Sequence, residues 1–120
     1  MAKTLFHPDT DRIELANVLD ALSDPVRLQI VARLDAESEC RCSGFLDYGQ
    51  KTNLTYHFAR LREAGVTRTR SDGPYRYITL RTEDLETRFP GLLKAVLASV
   101  RTAPSATVAL AEPALEAERA

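Results

Sequence analysis

The side chains best suited to recognising another molecule lie on one side of a helix predicted over residues 52–64. Leu54, Phe58 and Leu61 follow the i, i+4, i+7 spacing of a buried helix face. At 100° per residue, the opposite side carries small, hydrogen-bonding or cationic residues: Thr52, Asn53, Tyr56, Ala59 and Arg60. Asparagine can bond adenine edges and arginine can bond guanine edges. Because this side has no acid before Glu63, we interpret it as a DNA-reading surface.

A basic two-stranded hairpin is predicted directly after this helix. From Val66 onwards the residues alternate with period two, and Asp72-Gly73 is a strong hairpin-turn pair. A wing of this kind lies along phosphates or in the adjacent minor groove. The alternative is a solvated edge whose charges discourage strand pairing. The helix beside it favours DNA, and the predicted contacts are Lys51, Thr52, Asn53, Thr55, Tyr56, Arg60, Arg68, Arg70 and Arg76.

The charge distribution supports this interpretation, although the total does not. The chain has 120 residues, 44% of them hydrophobic, with 16 basic and 17 acidic side chains and a net charge of −1. Residues 51–81 carry seven basic side chains against two acidic ones, a local charge of +5.

Wholesale disorder is excluded by the apolar content, and no apolar run approaches the roughly 20 residues of a membrane span. With no visible secretory signal, we expect a cytoplasmic protein without a membrane partner.

The elements around the helix and hairpin complete a recognisable order. Helices are predicted from Asp9 to Leu22, from Pro25 to Leu34, over 43–48, over 52–64, and from Thr82 to about residue 101. We expect Ser23 to cap the second helix, residues 35–39 to form a loop, and Pro90-Gly91 to interrupt the last helix. The predicted fold class is mainly α with a two-stranded β wing, a winged helix-turn-helix. Residues 1–9 form an arm, 10–101 the domain, and 102–120 an Ala/Pro-rich acidic tail.

Three motifs resemble one family. Leu19–Leu34, LDALSDPVRLQIVARL, looks like the start of ArsR/SmtB-type bacterial winged-helix repressors. Leu54–Leu80, LTYHFARLREAGVTRTRSDGPYRYITL, is similar to that family's recognition helix, turn and wing. Arg88–Leu93, RFPGLL, looks like a C-terminal helix of actinobacterial members. The resemblance covers about residues 10–100. Thr55, Tyr56 and Thr67 depart from the commoner residues, which leaves the operator sequence open.

The resemblance implies a homodimeric repressor that binds an inverted-repeat operator in double-stranded DNA and releases it when an inducer binds. Family dimers are built from the first and last helices. The matching apolar residues here are Leu15, Val18, Leu19, Leu92, Val96, Leu97 and Val100. Packing inside one subunit is the alternative for these residues, and each apolar stripe can serve both purposes.

The pair Cys40 and Cys42 resembles the Cys-x-Cys of metal-sensing family members. A helix N-terminus and Arg41 would both favour the thiolate, and so short a spacing makes a strained disulfide. The third cysteine of the arsenite-sensing pattern is Phe45 here. A tetrahedral site for zinc, nickel or cadmium would need further ligands, for which the candidates are His7 and Asp9, from the same or the other subunit. Two incidental thiols are the alternative.

Other function classes find less support in the sequence. An enzyme needs a catalytic constellation, and two histidines, two cysteines and no phosphate-cradling glycine loop supply none; we predict no catalytic residues. A winged-helix module that binds protein would not need the acid-free helix side. A thiol-responsive regulator without metal also stays open. His57 is expected to pack or to contact a phosphate.

Overall fold

The computed structural model describes residues 5–102 of the chain. Its α-helices are α1 (Leu15–Ala21), α2 (Pro25–Glu37), α3 (Lys51–Ala64), α4 (Thr82–Arg88) and α5 (Leu92–Thr102), and 3-10 segments cover Thr10–Arg12 and Cys42–Tyr48. The strands β1 (Glu39–Arg41), β2 (Thr67–Asp72) and β3 (Tyr75–Leu80) form an antiparallel sheet in the order β1-β3-β2. The predicted α+β winged helix-turn-helix fold is confirmed. Residues 1–4 of the arm and 103–120 of the tail lie outside the described residues.

One core joins the helices to the sheet. Ile30 of α2, Leu54 and Leu61 of α3, and Ile78 of β3 are almost completely buried, as is Phe45 of the 3-10 helix. The buried side of α3 is therefore the predicted one. None of the described helices has the length and apolar character needed to cross a bilayer.

The first helix begins later than predicted, and the second begins at Pro25 as predicted but has a different N-cap residue. Residues 10–12 form a 3-10 turn, and α1 starts only at Leu15. Asp24, rather than Ser23, caps α2, because its carboxylate accepts hydrogen bonds from the backbone N–H groups of Val26 (2.8 Å) and Arg27 (3.1 Å). Pro25 is the first helical residue, so the residue immediately before it occupies the capping position.

The predicted loop over residues 35–39 is wrong, and a third strand takes part of its place. Helix α2 continues to Glu37, and Ser38, with φ of 70°, ends it. Strand β1 follows at once and pairs Cys40 with Ile78 of β3. This pairing leaves Cys40 only 6% exposed and makes it part of the core.

Two glycines shape the region around α3 and the wing. Gly65 ends α3 with φ of 90°, and a Cβ atom there would lie 2.6 Å from Cγ1 of Ile13. Only glycine fits this close approach without a shift of the neighbouring side chain. The hairpin turn is Gly73-Pro74, one residue later than predicted, because Asp72 still pairs with Tyr75. Gly73 adopts φ of 61°, as the tight turn requires.

A buried arginine connects the start of the helix-turn-helix to α3. Arg27 is 7% exposed. Its Nε donates to the carbonyl of Ala21 at 2.6 Å, and its Nη2 donates to the carbonyl of Asp20 at 3.4 Å. Its Nη1 lies 3.0 Å from Nδ1 of His57 on α3. Arg27 therefore satisfies carbonyls at the C-terminus of α1 while it holds α3 in place.

Candidate nucleic-acid interface

The first turns of α3 present an open polar surface. Lys51, Thr52, Asn53, Thr55 and Tyr56 are all exposed, and no acid occupies the first turn. The Thr55 hydroxyl donates to the Lys51 carbonyl at 2.9 Å, so its proton is already used while its lone pairs remain available. The structure thus brings these predicted contact residues together on one accessible surface.

Arg60 is held differently from the other predicted contacts on α3. Its guanidinium forms an ion pair with the carboxylate of Asp20, at the end of α1. The Nε of Arg60 is buried and has no hydrogen-bond partner within residues 5–102. A nucleic acid that engages Arg60 must therefore compete with Asp20.

The wing arginines are divided between the two faces of the hairpin. Arg68 and Arg70 lie on one face, since Arg70 pairs with Tyr77 across the strands, and Arg76 lies on the other, opposite Ser71. The Arg76 face also holds the buried Ile78 and is therefore turned towards the core. The wing does not present its arginines from a single surface.

The two faces also differ in how their arginines are engaged. Arg70 donates to Glu39 at 3.0 Å and stacks 4.5 Å above the ring of Tyr77. Arg68 lies 3.5 Å from the carboxylate of Asp84. Arg76 forms no salt bridge within the described part of the chain. Among the predicted wing contacts, Arg76 is therefore the arginine whose charge is not already paired with an acidic side chain of residues 5–102.

A curated protein has a similar sequence. The uncharacterized HTH-type transcriptional regulator YceK of Bacillus subtilis (strain 168) is 37% identical over 86 residues, which cover 68% of this chain and 84% of that protein. The chain belongs to the HTH-type transcriptional regulators. No protein-family model matches it. The relative is a regulator rather than an enzyme, and the exposed helix beside a basic hairpin agrees with that family.

The cysteines of this regulator occupy different environments. Cys40 packs in the core, with its Sγ 3.6 Å from a carboxylate oxygen of Glu37, and Cys42 opens the 3-10 helix. Burial raises the pKa of both thiols, and the negative charge of Glu37 raises that of Cys40 further. The expectation that the local environment favours the thiolate is therefore wrong. Arg41 stacks on the ring of Tyr75 at 4.1 Å.

The predicted metal ligands do not form a cluster within one subunit. No group of three or more His, Cys, Asp or Glu side chains in residues 5–102 is arranged to hold a metal ion. The Nε2 atom of His7 instead accepts a hydrogen bond from the backbone N–H of Thr69 at 3.0 Å. These donors do not fit a four-coordinate site in the single subunit. Metal binding through Cys40 and Cys42 stays a prediction that requires further ligands, from a second subunit or from outside the described residues.

The regulator's N-terminal arm is fastened by contacts that sequence reasoning missed. Arg62 of α3 donates to the Phe6 carbonyl at 3.2 Å, and the buried Arg81 donates to the Pro8 carbonyl at 2.7 Å. With the His7 bond to Thr69, these contacts tie the arm to both α3 and the wing. No periodicity signals them, because each joins residues far apart in the chain.

The predicted dimer residues are only partly exposed. Leu15 and Leu19 of α1 are 45% and 46% exposed, whereas Val18 and Leu97 are buried in the core of the subunit. The remaining candidates on α5 are half-buried: Leu92, Val96 and Val100. Among these predicted residues, the apolar surface left for a partner is therefore mainly that of Leu15 and Leu19.

The two histidines should make the regulator less stable in mild acid. Burial lowers the pKa of both His7 and His57 below 6.5, with Arg68 adding to the effect at His7 and Asp24 opposing it at His57. The unfolded chain therefore binds protons first, so the free energy of unfolding is highest above about pH 6.5 and falls below it. Urea denaturation between about pH 7.5 and 5.5 measures this fall.

The control for this prediction is the double variant His7→Gln/His57→Gln, whose stability should change less over the same pH range. An equally steep fall in that variant would assign the effect to other groups.

Proposed function

We propose that this regulator is a repressor of the ArsR/SmtB type that binds an inverted-repeat DNA operator as a homodimer. The observation that carries the proposal is the exposed, acid-free first half of α3 beside a wing whose Arg76 has no acidic partner within residues 5–102. In helix-turn-helix proteins, the N-terminal residues of the recognition helix contact base edges, and neighbouring elements contact the backbone.

Each contact residue has a chemically distinct role in this proposal. Asn53 hydrogen-bonds a base edge, for which adenine is the matching partner. Lys51 and Arg76 contact phosphates and set the register of the protein on the duplex. Arg60 breaks its ion pair with Asp20 and contacts the nucleic acid instead. Because one ion pair replaces another, this contact contributes little net free energy to DNA binding.

The proposed dimer uses the exposed side of α1. Leu15 and Leu19 are large apolar side chains close to half exposed, and burying such surface stabilises an interface by about 25 cal/mol per Å². A two-fold dimer presents two copies of α3 to half-sites about one helical turn apart. The operator is then an inverted repeat because its symmetry matches that of the protein.

Selection from a pool of random DNA duplexes tests the proposal and identifies the operator in the same experiment. We expect enrichment of an inverted repeat with half-site centres about 10 bp apart. Affinity for the enriched duplex should fall steeply with salt, with a log–log slope of about −0.9 per neutralised phosphate. No enrichment, or a single unrepeated site bound by a monomer, would contradict the proposed function.

A variant pair separates dimer formation from general effects of charge. Leu19→Glu introduces a carboxylate into the proposed interface and should give a monomer in sedimentation and lose the inverted-repeat preference. Phe6→Glu makes a similar change at a residue that is 62% exposed and outside that surface, and it should remain a dimer. Equal behaviour of the two variants would place the interface elsewhere.

A further inference from the structure

A half-open cavity of about 580 Å³ lies between α3, the wing and the 3-10 helix. Its apolar wall is formed by Leu5, Leu46, Leu54, Phe58 and Tyr75. Small-molecule sites in proteins are typically about 300–1,000 Å³ and mostly apolar, with a small number of polar groups that fix orientation. The volume of this cavity lies within that range, and its wall is mostly apolar.

The charged residues around the cavity have one sign. Its cationic lining residues are Arg41, Lys51, Arg62 and Arg76, and no aspartate or glutamate lines it. Arg41 is stacked on Tyr75, and Arg62 holds the Phe6 carbonyl. Lys51 and Arg76 have no salt-bridge partner in the described part of the chain, so they are free to meet an anion.

We propose that this cavity binds a small amphipathic organic anion, an apolar chain or ring that ends in a carboxylate or sulfonate. The apolar part packs against Leu54 and Phe58, and the acidic group is met by Lys51 and Arg76. A neutral ligand would leave those cations without a partner, and an inorganic anion would leave the apolar wall in water. The apolar wall and the two cations together therefore favour a ligand that has both an apolar part and an acidic group.

Binding at this cavity would regulate DNA binding, an effect that rests on the proposed function. Lys51 and Arg76 are the same cations that are proposed to contact phosphates. A ligand anion neutralises them and fills the space between α3 and the wing. The anion and the DNA backbone then compete for one pair of positive charges, so the ligand acts as an inducer that releases DNA.

Binding is measured first on the full-length protein without DNA. The probe is 8-anilinonaphthalene-1-sulfonate, an aromatic sulfonate whose fluorescence rises in apolar surroundings. Decanoate should displace it, and decanol, which has the same chain length without the charge, should need about tenfold higher concentration or more. Equal displacement by decanoate and decanol would overturn the role of the cations.

A matched pair of variants locates the bound probe. Leu46→Glu places a carboxylate on the cavity wall and should weaken probe binding about tenfold or more. Phe6→Glu adds the same charge at an exposed apolar residue that does not line the cavity, and it should bind the probe as the wild type does. Far-ultraviolet circular dichroism verifies that both variants are folded. Unchanged probe binding in folded Leu46→Glu would overturn the site.

The last measurement adds the selected DNA duplex. Decanoate at saturating concentration should weaken DNA binding about tenfold, and decanol at the same concentration should not. If decanoate binds the protein but leaves its affinity for DNA unchanged, the regulatory role is overturned. The proposed anion site is not contradicted by that result. A protein that binds decanoate but selects no DNA would contradict the proposed function and leave the anion site intact.

Discussion

Replacing Arg27 with alanine is expected to lower the free energy of unfolding by about 2–4 kcal/mol. The side chain is 7% exposed, and its hydrogen bond to the Ala21 carbonyl is 2.6 Å long. Alanine would leave the buried Ala21 carbonyl and the partly buried Nδ1 of His57 without this partner, and a buried unsatisfied group costs about 1–3 kcal/mol. Urea denaturation of the purified variant measures the loss.

The controls distinguish lost hydrogen bonds from lost charge. Arg12→Ala removes the same side chain at an exposed position and should change stability by less than about 0.5 kcal/mol. Arg27→Lys keeps the charge, but a compact ammonium cannot reach the same acceptors as the guanidinium fork, so it should restore only part of the stability. A loss below about 1 kcal/mol in Arg27→Ala would mean that water replaces the guanidinium at these acceptors.

The sequence predicted the recognition helix well because its buried residues repeat over several turns. Leu54 and Leu61 sit at the positions that helical periodicity assigns to the core, and Gly65 ends the helix where a left-handed residue is needed. Strand β1 has only three residues, which is too short for a period of two to be recognised. The prediction ended a loop at Glu39 and assigned no strand to the next two residues, because the burial of Cys40 depends on a distant strand.

Interactions between distant residues could not be predicted from the sequence. Asp20 and Arg60 are 40 positions apart, and His7 and Thr69 are 62 apart. Helical angle places Arg60 opposite Leu54 and Leu61, but angle alone does not show that Asp20 of α1 supplies a carboxylate there. Tertiary packing decides which cations of a basic segment are neutralised.

One feature of the wing was present in the sequence and was missed. A two-residue turn pairs even-numbered positions of β2 with odd-numbered positions of β3, as in the pair Arg70 and Tyr77. Arg76 must then face away from Arg68 and Arg70. The strand period therefore already separates the arginines that the prediction treated as one group.

The substitutions Asn53→Ala and Arg76→Ala should weaken DNA binding in two different ways. Asn53 lies exposed in the first turns of α3, and loss of a good bidentate base contact costs about 1–3 kcal/mol on the selected operator. On a scrambled duplex it should cost little, because no matching base edge is present. Arg76→Ala should weaken both duplexes by similar factors and reduce the salt slope by about 1.

The measurement is a titration of each variant against both duplexes over a series of salt concentrations. Thr87→Ala, at an exposed position on α4, supplies a matched control that should bind as the wild type does. If Asn53→Ala weakened both duplexes equally, Asn53 would be a backbone contact and sequence would be read by other residues of α3. If Arg76→Ala left the salt slope unchanged, Arg76 would not contact a phosphate. The proposed competition between DNA and an organic anion would then involve only Lys51 of the two cations. The same variant therefore tests how the wing binds DNA and whether the cavity beside it can control that binding.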